Sequence, residues 1–392
     1  MPVNFQELRP QIQQAGKNAV QAAQARLERL AQARLLREKF SNDCDPLRQS
    51  LSSAREKNQA LRCAIPLGEK LDSHIFPAPL KTGVVLLAAD GSQINPDRHA
   101  PVEFGLINVG IVRLQPGFAQ TPHEITHTRL MSPEEVNTPD GPLTEDIIAL
   151  DRDLRERLAL AELAAQEKGL VVTLTDGPLE LYGEPKESRE YRQKLIEYLD
   201  ALKLLAQLGT VAGGYVDKPK ADLVVRLLEL SLLQPDEMER AGRLRRLFPV
   251  TDAALMEDIL GPGERSAVFG IQSISAGRFK DELALHFFYM NVGKEGRPWL
   301  ARVEIPGWVA GYPDALGTLH SVLLQQTQIL GNKPYPYALH RAHEIAVVRM
   351  EEKQEITDML SRELLQAGAG LGRASHKQSL KDQTGNRTRF TP

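Results

Sequence analysis

The chain predicts a mixed α/β protein built on a central sheet, and two observations carry that reading. Short apolar runs bounded by turn residues alternate with longer stretches of helical periodicity, in the order strands, helix, strand, helix, strand, helices, hairpin and helices. Two of the apolar runs also finish alike, at Gly83-Val-Val-Leu-Leu-Ala-Ala-Asp90-Gly91-Ser92 and at Gly169-Leu-Val-Val-Thr-Leu-Thr-Asp176-Gly177-Pro178. Each reads as a buried strand that ends in one carboxylate and a glycine turn. No repeat of fixed period is present.

Residues 4 to about 60 read as helix. Leu8, Ile12, Ala19, Ala22, Leu27, Leu30, Leu35 and Leu36 recur near helical spacing among Gln, Arg and Lys. The apolar stripe is thin, so this segment calls for a partner helix, within the chain or across a dimer. Pro46 and Pro66 interrupt it, and 66–82 reads as a loop with Pro77 and Pro79 as breakers. The strand to Asp90 opens the core. Residues 102–114, rich in Val and Ile, give one or two strands, and the alternation in 122–130 gives a third. Thr144 is placed to cap a helix from Glu145 to about Lys168, with Gly169 closing it. The strand to Asp176 follows, then a helix from about Ser188 to Leu208, a strand end and turn at Gly213–Lys218, and helix over 222–233 and most of 236–260. Residues 283–305 read as a hairpin and 315–368 as helix-rich.

Composition is that of a soluble globular protein, 42% hydrophobic and 25% charged. No apolar run reaches the roughly 18 residues that span a bilayer, and the first residues lack the apolar core of a signal peptide. The expected location is the cytoplasm. Cys44 and Cys63 have no metal-ligand spacing, which argues against a zinc site, and a reducing compartment argues against a disulfide. A net charge of −3 does not advertise nucleic-acid binding over the whole surface. Two basic clusters do stand out. Arg240, Arg243, Arg245 and Arg246 read equally as a phosphate-neutralising patch or a solvated face, and Arg373, Lys377, Lys381, Arg387 and Arg389 sit in a tail expected to be flexible.

The chemistry centres on the strand-end acids. A carboxylate at the end of an apolar strand is costly to bury unless it is paired, and a divalent ion is a common partner. Asp90 and Asp176 share this setting. Asp217, in Gly-Tyr-Val-Asp-Lys-Pro, repeats it more weakly. On the helix before Asp176, Glu162 stands in an otherwise apolar stretch, Leu158 to Ala165, and so reads as a carboxylate on a buried face. Glu156 is the alternative. Near the C-terminus, Tyr335, Tyr337, His340, Arg341 and His343 fall within nine residues, with Tyr335 held extended between two prolines. Histidine mixed with carboxylates suits ions of the Mn²⁺ class. Neither a dinucleotide fingerprint nor a Walker motif occurs, and Ser92 and Ser266 lack a nucleophile elbow.

Taken together, Ala89-Asp90-Gly91-Ser92, Leu-Thr-Asp176-Gly177-Pro178, Gly214-Tyr215-Val216-Asp217-Lys218 and Tyr335-Pro336-x-x-Leu339-x-x-Ala342-His343 resemble the NurA nucleases of DNA end resection. The resemblance spans about 84 to 350. It implies an RNase H-like mixed central sheet flanked by helices, dependence on Mn²⁺ with Mg²⁺ as the alternative, and a homodimer enclosing a channel. It also implies 5′ to 3′ exonuclease activity on DNA, single-strand endonuclease activity, and partnership with a HerA-type hexameric ATPase. By motif position, Asp90, Asp176 and His343 would be metal ligands and Tyr335 the associated tyrosine. The helix glutamate falls to Glu162, with Glu156 still open. Lys218 and Arg341 are the candidate nucleic-acid contacts. The expected division is an N-terminal helical extension over 1–65, a nuclease domain over 66–370 and a basic tail over 371–392. Two other readings are a different RNase H-like nuclease, cutting junctions or RNA, and a non-catalytic adaptor of a hexameric ATPase.

Overall fold

The Asp90 run forms a ten-residue strand, Val85–Ile94, that continues past the acid. The structure, a computed structural model, describes residues 3–118, 121–139, 141–182 and 188–368. The basic tail lies outside them. The chain packs as two units, each drawn from separated stretches: one from Thr82–Thr175, Gly183–Thr210 and Tyr337–Pro392, the other from Met1–Lys81, Asp176–Tyr182 and Val211–Pro336. They are called here the Asp90 unit and the Asp176 unit.

In the Asp90 unit, Val85–Ile94 pairs antiparallel with Gly105–Leu114, and that strand pairs antiparallel with His123–Met131. On its other side Val85–Ile94 runs parallel to Val171–Asp176, from Val85↔Val171 to Ala89↔Thr175. Parallel neighbours need a crossover, and the helix Glu145–Ala164 lies in that connection. A three-strand meander, a helix and a strand returning parallel to the first make the mixed sheet expected of an RNase H-like core. Parallel pairing stops at Ala89↔Thr175, and the next residue along each strand is an aspartate, Asp90 and Asp176. Antiparallel pairing continues to Ile94↔Leu106. Val85 to Ala89 are therefore buried, whereas Asp90 to Gln93 are half-buried.

Capping fixes the helices. Thr144 Oγ1 accepts from Ile147 N–H at 3.3 Å, as its position predicts. Ser188 Oγ does the same for Arg189–Gln207, accepting from Tyr191 N–H at 3.1 Å. The first helix stops at Ala164, before the predicted end, and Gly169, at φ 105°, turns the chain into its strand. Two glycines seat helices on the sheet. A Cβ on Gly110, the register partner of Asp90, would stand 2.5 Å from Ala342 O and 2.7 Å from Ala346 N, so the helix Tyr337–Ala346 lies directly on it. A Cβ on Gly91 would stand 2.6 Å from Arg152 Cγ, on the Glu145–Ala164 helix. Successive strand residues face opposite sides, so this sheet carries a helix on each face. Ser92 Oγ and Asn108 Nδ2 both donate to Ala346 O, and Thr128 Oγ1 donates to Asn108 Oδ1 at 2.6 Å, which pins the end of the Tyr337–Ala346 helix. Val348, Ile356 and Leu360 then pack on Ile94, Phe104 and Leu106.

The Asp176 unit has five strands in the order Cys63–Pro66, Phe269–Gln272, Leu285–Asn291, Leu300–Pro306 and Val211–Val216, with every neighbouring pair antiparallel. The predicted late hairpin is present, from Leu285↔Pro306 to Asn291↔Leu300. The N-terminal segment forms Phe5–Phe40 and Asp45–Lys57, with Pro46 in the first turn of the second helix. Of Phe5–Phe40 only Ala33, Leu36, Arg37 and Phe40 are buried. Ile12, Val20, Leu27 and Leu35 face solvent, and Arg37 forms a two-point ion pair with Asp258 at 2.8 and 2.9 Å. The expectation of helix over most of 236–260 fails. Only Met238–Arg240 and Asp252–Met256 are helical there. Arginine side chains satisfy backbone carbonyls in place of a continuous helix: Arg226 reaches Ala241 O and Leu244 O, and Arg246 reaches Leu232 O. Within the arginine cluster Arg245 pairs with Asp222 and Arg246 with Glu237.

The contact at Gly110 gives a direct test. A Gly110→Val variant is expected to lose about 1–3 kcal/mol of stability, the usual effect of overpacking a close contact. Urea denaturation measures it, and an unchanged midpoint would contradict the seating of the helix.

Candidate active site

Within the Asp90 unit, Asp90 and His343 meet although 253 residues separate them: Asp90 Oδ2 stands 2.7 Å from His343 Nδ1. The other carboxylate oxygen accepts from Gly91 N–H at 2.9 Å. The Asp90 side chain is 14% exposed and that of His343 62%, so the pair opens to solvent from the imidazole side. His340, on the same helix, instead faces Glu344, at 3.6 Å. Arg341 is engaged by Glu124 and Glu344, so the donors expected for a phosphate are occupied by carboxylates.

Of Glu156 and Glu162 on the Glu145–Ala164 helix, Glu156 is the one that points inward. It is buried, and a Cβ on Gly91 would stand 2.9 Å from its Oε1. Burial pushes its pKa well above the usual carboxyl range, Arg157 and Arg152 pull it down, and the neighbouring charges of Asp153 and Asp90 add to the rise. Arg157 Nη1 donates to Glu156 Oε2 at 2.6 Å and Arg157 Nη2 to Thr175 Oγ1 at 3.0 Å, over the ring of Tyr198. Glu162 is exposed. The expectation that it lies on a buried face is corrected by helix geometry. Six residues turn a helix about 240° beyond a full turn, so Glu156 and Glu162 face different ways. The apolar run around Glu162 is contiguous in sequence but not on one helix face: Leu158, one turn earlier on the face of Glu162, is itself 44% exposed. The informative signal is the spacing of Glu156 to Ala159 and Leu160, both buried. Asp151 is also buried, among Arg129, Arg155 and Lys194.

In the Asp176 unit, Tyr335 Oη donates to Asp176 Oδ1 at 2.9 Å. The Tyr335 ring meets Tyr215 edge-on, with centroids 5.5 Å apart. Tyr215 is buried and its hydroxyl donates to Pro334 O at 3.4 Å. Burial, and then the charges of Asp217 and Asp176, hold that hydroxyl in its protonated form. Gly177, at φ 84°, donates its N–H to Tyr215 O at 2.8 Å, and Gly214 leaves room for Gly177 O, which a Cβ would meet at 2.6 Å. Asp217 accepts from Trp299 Nε1–H at 2.8 Å, and Lys218 Nζ stands 4.4 Å above the Trp299 ring.

Among the described residues, no group of three or more His, Cys, Asp or Glu side chains is disposed to hold a metal ion as it stands. The donor chemistry nevertheless fits such an ion. The Asp90 unit supplies carboxylate oxygens from Asp90 and Glu156 and an imidazole from His343, and Glu156 is a buried carboxyl whose ionisation a cation would favour.

The NurA domain family matches residues 84–348, from the first core strand to the end of the His343 segment. The chain belongs to the NurA family of nucleases. Among curated proteins none matches it. Among solved structures, the NurA nuclease from Sulfolobus solfataricus aligns at 14% identity and TM-score 0.49, covering 84% of this chain and 97% of that one. The catalytic domain of human Endonuclease V aligns at 12% and 0.36, covering 82% and 98%. LC9-RNase H1, a type 1 RNase H, aligns at 15% and 0.22, covering 40% and 71%. These likenesses are distant, and membership of the NurA family rests on the domain match. No helix among the described residues is long and apolar enough to cross a membrane.

If Glu156 is the functional helix carboxylate in this NurA-family chain, Glu156→Gln is expected to lower DNA cleavage roughly tenfold to a hundredfold. Glu162→Gln is expected to stay near the parent rate. Initial rates on a labelled linear duplex distinguish the two, and the reverse ranking would restore Glu162.

Proposed function

We propose that this chain is a divalent-metal-dependent DNA nuclease, with 5′ to 3′ exonuclease and single-strand endonuclease activity, acting in the resection of double-strand breaks. The observation that supports it best is the Asp90–His343 contact, which joins the first and last motifs of the NurA domain across 253 residues. Such a pairing of acid and imidazole at a half-open position fits an ion-binding site better than a structural ion pair, because an exposed pair contributes little to stability.

Asp90, Glu156 and His343 would hold an ion in the Asp90 unit, and Asp176 is the carboxylate proposed as a metal ligand in its own unit. The bound ion supplies Lewis-acid stabilisation of a phosphoryl oxygen and a water of lowered pKa. The chain's own residues do the rest. Arg157 and Arg152 offset the carboxylate charge of Glu156. Tyr335, through the hydroxyl that meets Asp176, orients that carboxylate or a phosphate oxygen. Manganese is the proposed ion, with magnesium as the alternative. A HerA-type hexameric ATPase is the proposed partner and a homodimer the proposed assembly. The solvent-facing stripe Ile12, Val20, Leu27 and Leu35 supports a second copy or a partner covering the first helix. A cytoplasmic location accords with this role.

Asp90→Ala and Asp176→Asn are each expected to cut Mn²⁺-dependent degradation of linear DNA by about a hundredfold or more, since losing a ligand should cost at least as much as losing its outer-shell support. Chelation with EDTA is expected to abolish cleavage and added Mn²⁺ to restore it. Wild-type rates in the Asp90→Ala variant would refute the assignment. Cleavage confined to junctions or RNA would move the substrate elsewhere.

A further inference from the structure

We propose that Trp299 is a stacking platform for an unpaired DNA base and that Lys218 meets the adjoining phosphate, an inference that rests on the nuclease reading above. Asp217 directly follows the strand Val211–Val216, yet its carboxylate is spent on an indole: Trp299 Nε1–H donates to it at 2.8 Å. Its role is to position that ring. Trp299 is also fixed through its backbone. Its N–H donates to Asn291 Oδ1 at 3.1 Å, its carbonyl accepts from Val292 N–H at 2.9 Å, and a Cβ on Gly293 would stand 2.5 Å from Trp299 N. A half-buried ring held at both ends loses little freedom when a base stacks on it.

Lys218 adds the charge. Its ammonium lies 4.4 Å over one face of the Trp299 ring, so a base stacks on the opposite face or takes that face as the lysine swings to the phosphate, and its backbone sits at φ 46°, a left-handed conformation uncommon for a residue with a side chain. Such conformations gather at ligand-binding positions. Unlike Arg341, Lys218 has no carboxylate partner among the described residues. Lys220, Lys294, Arg297 and Lys333 are exposed in the same unit. Lys294 Nζ donates to Asn332 Oδ1 at 3.2 Å, which ties the Trp299 hairpin to the segment leading into Tyr335.

The platform belongs beside the Asp176–Tyr335 pair. Asp217 follows Tyr215 by two residues, at the bend that ends the strand Val211–Val216. Tyr215 touches Tyr335, and the charges of Asp217 and Asp176 both bear on its hydroxyl. An aromatic ring with lysine beside it is the usual means of gripping single strands without reading sequence. A base paired in a duplex offers no free face to it.

Binding of fluorescein-labelled (dT)12 in EDTA, which prevents cleavage, tests the proposal through anisotropy and intrinsic tryptophan fluorescence. The chain has two tryptophans, Trp299 and Trp308, so the difference between wild type and Trp299→Phe isolates the first. The oligonucleotide is expected to quench wild-type fluorescence and to lose most of that quench in Trp299→Phe. Trp299→Ala is expected to weaken (dT)12 binding about tenfold while leaving blunt-duplex binding unchanged. Lys218→Ala is expected to reduce the salt slope by about one. Equal (dT)12 affinity in Trp299→Ala, or full quench in Trp299→Phe, would overturn the platform. If those results accompany normal Mn²⁺-dependent cleavage, only this proposal falls. A wild type that neither binds (dT)12 nor cuts DNA removes the nuclease reading as well.

Discussion

The absence of a side chain at Gly110 governs the Asp90 unit. Asp90 takes its direction from the pleat of its strand, and the residue paired with it must leave the surface bare for a helix to come within backbone contact. The helix that settles there brings His343 to the acid, and Ser92 and Asn108 fasten its last carbonyl. Any larger residue at that position would lift the helix and separate imidazole from carboxylate. Backbone-to-backbone approach of this kind is rigid because neither side has a rotamer to adjust.

The two acids that finish the apolar runs are stabilised differently. Asp90 is half-sheltered and met by an imidazole, and below it Glu156 is closed in by two arginines. Asp176 is exposed and met by a phenol whose ring rests on a buried tyrosine. Buried charge would be costly without these partners. The side chains that offset it also fix where the carboxylates stand. Stability and orientation thus come from the same contacts, at Arg157 on Glu156 and at Tyr335 on Asp176.

Much of this was legible in the sequence where the signal is local. The apolar runs to Asp90 and Asp176, the cap at Thr144, the helix from about Ser188 and the late hairpin all follow from periodicity and turn chemistry. The density of ionisable and aromatic residues between Tyr335 and His343 marked a segment whose members do meet acids. What failed was less local. The neighbours of Glu162 in sequence are apolar, but a helix buries residues by angle. The stretch 236–260, expected to be largely helical, is held in turns by arginines bonded to carbonyls. Gly110 gave no sign, since a glycine within a strand shows its purpose only when the helix above it is known. The pairing of Asp217 with Trp299 depends on a contact across 82 residues that no local pattern encodes.

The order of segments in the Asp90 unit has a consequence for synthesis. The unit's sheet strands fall within residues 85–176, but the helix that covers Gly110 begins at Tyr337. A nascent chain still short of that point has its strands and both long helices, yet lacks the imidazole partner of Asp90. With so wide a separation between contacting residues, closure of this unit is a slow, late event in folding. Ribosome-bound or prematurely terminated products would thus be unable to assemble the Asp90–His343 pair.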